Sequence, residues 1–316
     1  MGIEFLGKWH LVVLAFGLDL ILGDPRWFPH PVRIMGWLTK GLESLLLPAM
    51  PSRMGGAILW ILVVGFSFFG SWALIRGCAG ISPGFGAAVE VVLLWTTLAL
   101  RDLDREARGV YDALKEGDLP KARERLSRIV SRDTDDLPPR EVCRGAVESV
   151  AENTVDGVLT PLFYAMLGGA PLAMAFKAIS TLDSMLGYKC GPYRSFGWFS
   201  AKADDLFNLL PARFCVFLVP LSALLLGMDP KGALSVVLRD HNKTPSPNSG
   251  YPEAAFAGAL GVRLGGPTKY RGVVHNLPFI GDGEKPSPQD ILRAIRLSYG
   301  TSFSFLALAS LLALLF

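Results

Sequence analysis

Arg144, Glu148, Glu152 and Asp156 stand four residues apart in one segment of the chain. On an α-helix that spacing lines them along nearly one face. Like charges at such spacing repel by about 0.2–0.5 kcal/mol per pair on an isolated helix. Three carboxylates in a row therefore read either as a solvated face or as a cation site. Carboxylate oxygens suit a hard ion such as Mg²⁺, which commonly bridges to substrate phosphates, and Asn153 adds a polar group beside the row. Lys177 and Asp183 follow in KAISTLDSMLGY, which ends at Tyr188. Asp204, Asp205 and Asn208 come next. On a helix Asp204 and Asn208 face the same way with Asp205 beside them, and adjacent carboxylates entering an apolar run are costly without a cation. Arg213 lies just beyond. The turn-rich stretch SPNSGYPE (246–253) carries Ser246 and Asn248 and opens a helix whose first turn holds Glu253. A helix dipole favours an acid there, so capping and catalysis both remain open for Glu253. Asp24 and His30 complete the inventory. His30, between Pro29 and Pro31, suits a structural turn as well as a site.

Other chemistries are excluded. There is no G-x-S-x-G, no H-E-x-x-H and no cysteine nucleophile arrangement. Histidines 10, 30, 241 and 275 lack ligand spacing. The glycines of 258–266 fit neither a dinucleotide fingerprint nor a Walker A loop and read as a tight helix terminus. Cysteines 78, 143, 190 and 215 form no C-x-x-C pair and are expected to be reduced. The net charge of +3 gives no reason to expect a nucleic-acid partner. Carboxylates, cations and a lysine suit phosphate handling better than triad hydrolysis.

The elements that must position these groups are those of a membrane protein. Charged residues make up 19% of the 316 and hydrophobic ones 51%, with mean hydropathy +0.37. Residues 55–75 run 21 positions without a charge, 84–100 hold only Glu90, and 299–316 are uncharged. A bilayer core takes roughly 20 apolar residues as a helix, and core helices of a soluble bundle seldom stay uncharged for so long. The run 9–22, short and holding Asp19, lacks the flanks of a cleaved signal peptide: only Lys8 precedes it and no A-x-A site follows. Residues 23–54 read as a polar connection and 76–83 as a short loop. Residues 101–156 hold eleven Lys or Arg, which assigns them to the cytoplasm. Helices are expected over 103–115, from Asp118 as cap to about Val130, and from near Arg140. The runs 157–176 and 206–227 are interrupted by Pro161, Gly168-Gly169 and Pro171, and by Pro211, Arg213 and Pro220. Irregular backbone at membrane depth is tolerated where protein or a water-filled cavity surrounds it. The fold expected is all-α: a polytopic integral membrane protein with broken or re-entrant helices and amphipathic cytoplasmic helices. It is expected to form one membrane-embedded domain over 1–316, with a cytoplasmic helical insertion at about 101–156. If 157–176 or 206–227 crossed fully, motif residues would be stranded on opposite sides. A single cytoplasmic site therefore requires both to return or cross only partly.

Six ordered segments carry a resemblance: LDLILGDPRWFPHPVRIMG (18–36), SRDTDDL (131–137), ESVAENTVDGVLTPLFY (148–164), KAISTLDSMLGY (177–188), FGWFSAKADDLFNLLPAR (196–213) and SPNSGYPEAAFAGALGVRLGG (246–266). Together they resemble the CobD/CbiB family, the adenosylcobinamide-phosphate synthases of cobalamin biosynthesis, from about residue 11 to 300. The family pattern has Gly at position 131 and Asn at position 180, where this chain has Ser. The resemblance implies an ATP-dependent ligase of the cell inner membrane, its site facing the cytoplasm. Such an enzyme joins a propionate of adenosylcobyric acid to aminopropanol or its phosphate. ATP and Mg²⁺ are the cofactors implied. The partners implied are the corrinoid, the amino alcohol, the lipid bilayer and other membrane enzymes of late cobalamin assembly. Carried onto this chain, Glu148, Glu152, Lys177 and Asp183 would be catalytic. Glu152, Asp156, Asp204 and Asp205 would hold metal. Arg144, Asn153, Tyr188, Asn208, Arg213, Ser246, Asn248, Glu253, Asp24 and His30 would bind substrate or nucleotide. The competing class is a cation-coupled transporter or a sensory membrane homologue, since buried acids also mark ion pathways.

Overall fold

The computed structural model describes residues 9–25, 27–188 and 191–315; Lys8, Arg26 and Cys190 lie outside the described residues. Five helical stretches are long and apolar enough to cross a membrane: Arg53–Ile81, Pro83–Lys115, Pro139–Leu186, Tyr193–Leu225 and Pro288–Leu314. The chain is a polytopic all-α membrane protein with one small hairpin added. It forms two compact units. The first comprises Met1–Ala99, Asp156–Asn208 and Ala309–Phe316, and the second Leu100–Val155 and Leu209–Leu308.

The first unit opens with α1 (Trp9–Leu22), α2 (Pro31–Ala49), α3 (Arg53–Ile81) and α4 (Pro83–Trp95). Residues 23–54 are thus not the polar connection expected from sequence, because α2 fills most of them. His30 caps α2 through Nδ1, which accepts from the Val32 amide, and Pro31 sits at the first helical position, where its fixed φ suits a helix start. Helix α3 also runs on through the expected loop at 76–83. Gly77 and Gly80 cost roughly 1 kcal/mol each in a helix, less than the several kcal/mol of leaving backbone groups unsatisfied in hydrocarbon. The turn narrows to Ser82, which ends α3 and caps α4 by accepting from the Phe85 amide. Ser67 and Ser71, buried in α3, satisfy their hydroxyls on carbonyls four residues back. Ile61, Phe66, Phe69 and Trp72 are exposed along the same helix, a band suited to lipid. Gly56 lets α3 approach α9 (Tyr193–Phe196): a Cβ there would lie 1.8 Å from the Phe196 carbonyl oxygen.

A π-turn at Val155–Leu159 leads into α8 (Thr160–Leu186), and α10 (Trp198–Phe207) follows α9. The expected break in 157–176 is present. Gly168 and Gly169 leave helical geometry, with Gly169 at φ +64°, a conformation open to glycine and strained for most other residues. Near 206–227 the interruption falls at Asn208. Pro211 sits in the first turn of α11 (Leu209–Leu225), where no intrahelical amide is lost, and Pro220 lies inside that helix.

The second unit holds α5 (Leu100–Lys115), α6 (Leu119–Ser127), α7 (Pro139–Thr154), α11, α12 (Pro230–Asp240), α13 (Gly250–Leu260), strands β1 (Leu264–Tyr270) and β2 (Val273–Ile280), and α14 (Pro288–Leu315) as far as Leu308. Asp118 caps α6 as expected, accepting from the Lys121 amide. Residues 100–155 share their compact unit with 209–308. Helices α12 and α13 meet at Gly232 and Gly258, where a Cβ on Gly258 would lie 2.1 Å from the Gly232 carbonyl oxygen.

The hairpin was not expected from sequence. Its two-residue turn, Arg271-Gly272, has φ of +49° and +80°, the pattern that matches strand twist. Asp133 secures it, accepting from both turn amides at 2.9 and 2.6 Å. Within 258–266, Gly261 ends α13 in the left-handed conformation, the tight terminus expected. Gly265 and Gly266, also at positive φ, lie in β1 where the strand register slips. Cys143 and Cys215 are buried free thiols, and Cys78 is a partly buried one.

Candidate active site

Most of the residues singled out from sequence fall into two buried polar clusters, one in each unit. In the second unit the helix row supplies Arg144, Glu148 and Glu152. Glu148 is 3% exposed. Its Oε2 pairs with Arg132 at 2.5 Å and its Oε1 accepts from the Gly265 amide at 2.7 Å. Arg144, equally buried, donates to the Pro267 carbonyl and pairs with Glu141 at 2.7 Å. Both residues thus tie α7 to the hairpin. Glu152 shares a hydrogen bond with Glu253 of α13. Burial pushes the Glu253 carboxyl well above the usual carboxylate range, and the charges on Glu152 and Glu148 push it further, against the opposing pull of Arg132. Placing Glu253 in the first helical turn is therefore not mere capping: the side chain is inside the protein. Tyr270 of β1 lies in the field of the same groups, its phenol raised chiefly by burial.

The other second-unit residues support backbone. Asn153 donates to the Ser149 carbonyl at 2.9 Å. Ser246 Oγ accepts from the Asn248 and Ser249 amides, shaping the loop before α13. Arg213 donates to the Leu209 carbonyl, reaches Asn248 Oδ1 at 3.4 Å and lies over the Tyr251 ring.

In the first unit Lys177, on α8, is enclosed with Asp156, Asp19 and Asp24 within electrostatic reach. Asp156 does not continue the helical row of fours, because it sits in the π-turn, where one extra residue per turn shifts the register; such turns recur at functional sites. His30 Nε2 lies 3.8 Å from Asp24 Oδ2. Burial lowers its imidazole below the ordinary value, Asp24 opposing and Lys177 and Arg33 adding to the fall. A second group gathers on α10: Asp204 has Asp183 and Asp205 in its field and accepts from Asn208 Nδ2 at 3.1 Å. Asn208 Oδ1 accepts from Thr160 at 2.7 Å, which fixes the chain at the break before α11. Asp205 pairs with exposed Lys202 at 2.9 Å. Tyr188 packs edge-on against Tyr193 and is half-exposed.

Sequence reasoning passed over Arg132, Asp19 and Tyr270 as site residues. Arg132 lies inside the quoted segment SRDTDDL and Asp19 inside LDLILGDP. A charge within an apolar run is the signal that singles out Asp19. Arg132 sits among so many surface cations that composition hides it. Among the described residues, no three of His, Cys, Asp or Glu stand together as a metal cage.

Likeness to known proteins extends over nearly the whole chain. The family described as "CobD/Cbib protein" matches residues 12–298. Cobalamin biosynthesis protein CobD of Geobacter metallireducens is 49% identical over 304 residues, 96% of each chain. Cobalamin biosynthesis protein CobD of Citrobacter koseri and CbiB of Salmonella paratyphi B are each 46% identical over 300 residues, covering 93% of this chain and 94% of theirs. No solved structure matches. With a family match across 12–298 and relatives close to half identical end to end, the chain belongs to the CobD/CbiB family.

Proposed function

We propose that this protein acts in cobalamin biosynthesis as an ATP-dependent amide synthase of the cytoplasmic membrane, joining a propionate of adenosylcobyric acid to aminopropanol or its phosphate. The observation that carries the reading is the near-full-length likeness to proteins named for cobalamin biosynthesis. The two buried clusters suit the chemistry. A carboxylate is a poor electrophile. Its oxygen would attack the γ-phosphorus of ATP, releasing ADP and leaving an acyl phosphate. The amine nitrogen would then form the amide bond as inorganic phosphate departs.

Mg²⁺ usually takes one or two carboxylates and completes its shell with phosphate and water, so it needs no preformed cage. Asp183 and Asp204, which lie in each other's field, fit that lesser demand, with Asp205 adjacent; Asp156 is a further acid of the same unit. Bound there, the ion would neutralise phosphate charge during transfer. Lys177, enclosed among acids, would hold a phosphate or propionate oxygen at its ammonium. The Glu152–Glu253 pair would take the proton that the attacking amine must lose. Asn208, Asn248, Asn153, Ser246, Tyr188, Arg213, Asp24 and His30 would orient substrate.

Purified protein in detergent, supplied with ATP, Mg²⁺, adenosylcobyric acid and either amine, should yield the amide by mass spectrometry. Equal product without nucleotide would sink the reading.

A further inference from the structure

The hairpin and α7 bound a cavity of about 400 Å³ in the second unit. Its lining includes Arg132, Arg144, Lys269 and Lys285 with a single carboxylate, Glu141, and the ring of Phe279 on one wall. The cations share their acids, and Arg132 also feels Glu152. Glu141 serves both Arg144 and Lys285, at 2.7 and 2.8 Å. Glu148 serves Arg132 and, at 4.0 Å, Arg144. Lys269 pairs with Asp136, 82% exposed, at 3.2 Å, a contact that water and salt screen. Arg132 Nη1 is buried with no hydrogen-bond partner. A buried donor without an acceptor is costly. Guanidinium forks match phosphate oxygens in geometry as well as charge.

We infer that this cavity is a phosphoanion subsite, holding the phosphate of a small organic substrate between the guanidinium groups of Arg132 and Arg144 and the ammonium groups of Lys269 and Lys285. The volume lies within the range of small-molecule sites, about 300–1,000 Å³. It admits a phosphate with a modest organic tail and is too small for a corrinoid macrocycle. The inference rests on the synthase reading for its substrate class, since that reaction binds a nucleotide and, where the amine is phosphorylated, an amino-alcohol phosphate. The apolar wall at Phe279 gives either tail a surface.

Calorimetric titration of the full chain in detergent would test this. The probes are a non-hydrolysable ATP analogue, 1-amino-2-propanol phosphate, inorganic phosphate, and the unphosphorylated compounds adenosine and aminopropanol. The double variant K269Q/K285Q changes two half-exposed side chains, and its unliganded melting temperature reports whether it is folded. At least one organic phosphate should bind the parent and weaken on the order of tenfold in the variant. The probe affected identifies which substrate the cavity takes. Raising salt on the unaltered chain should weaken the same probe, which keeps the test independent of the variant's folding. Organic phosphates that bind the variant and the parent equally, or bind neither, overturn the subsite. So does inorganic phosphate binding both proteins as tightly as the organic probes. Lysine-dependent phosphate binding without amide product would instead leave the subsite standing and reject the synthase.

Discussion

Glu152 on α7 and Glu253 on α13 share a hydrogen bond inside the second unit, and two carboxyl groups can do so only while one keeps its proton. Burial holds Glu253 well above its ordinary 4.5, so the folded protein binds a proton there that the unfolded chain has released. As pH rises above about 4.5 the unfolded state binds fewer protons than the native one, and stability falls until the folded group itself titrates. Thermal melting of the unaltered protein in detergent should therefore drop between pH 5 and 8 more steeply than that of Glu253→Gln, whose amide can still donate to Glu152. Parallel curves would show that Glu253 is ionised in the fold.

The same pair separates catalysis from support. Glu152→Gln keeps shape and a hydrogen bond but removes the base. Turnover should fall by about 10²-fold or more with membrane expression near the parent's. Equal losses in both measurements would make the residue structural.

How far this site was legible follows from the kind of signal each part leaves. Glu148 and Glu152 could be picked out by their four-residue spacing along one helix face, and the Asp204–Asp205 pair because adjacent charges entering an apolar run are expensive. The kink at Gly168-Gly169 was equally open to reading, since few residues tolerate φ near +64°. Three features were not. The π-turn depends on a single added residue in register, which no pattern of apolar positions reveals, and it moves Asp156 off the row begun at Arg144. The hairpin lacks a two-residue Asn-Gly or Asp-Gly signal; Arg271-Gly272 holds its shape because Asp133, far off in sequence, accepts from both amides. Helix α2 was hidden by its polar residues and bracketing prolines, though Pro31 in fact starts it.

That Asp133 contact should be measurable alone. Asp133→Ala removes two charge-assisted acceptors, and the local cost should be about 1–3 kcal/mol. Hydrogen exchange should quicken across 264–280 while α12 and α13 keep their protection. A uniform loss across the second unit would mean that the hairpin is not an independently opening element.

Close helix approach makes another test. At Gly258 a Cβ would meet the Gly232 carbonyl oxygen at 2.1 Å, so Gly258→Ala must spread α12 from α13. The expected destabilisation is about 1–3 kcal/mol. Gly77→Ala serves as the control, with nothing within 4 Å of the added methyl. Its effect should be neutral or stabilising, by up to about 1 kcal/mol. Similar losses in both variants would show that crowding at Gly258 is relieved elsewhere.

Sidedness is the remaining expectation, and it follows from parity. Chemistry that consumes cytosolic ATP needs its participating groups to reach the cytoplasm. Full crossings at 157–176 and 206–227 would place Lys177, Asp183 and Asp204 outside while returning 228–298 to the inside. Irregular backbone in both segments is where a partial crossing would be expected. Gly168 and Gly169 depart from helical geometry within the first segment, and Asn208, held by Thr160 and Asp204, breaks the helix at the start of the second. Pro192 and Ser235 are both exposed and suit single cysteine labels in a background without the four native cysteines. An impermeant thiol reagent added to intact cells should modify neither Pro192→Cys nor Ser235→Cys, and in inverted vesicles it should modify both. Labelling of position 192 but not 235 from outside would mean that the two segments are full spans, and a single cytoplasmic site built on Lys177 and Asp204 would fail.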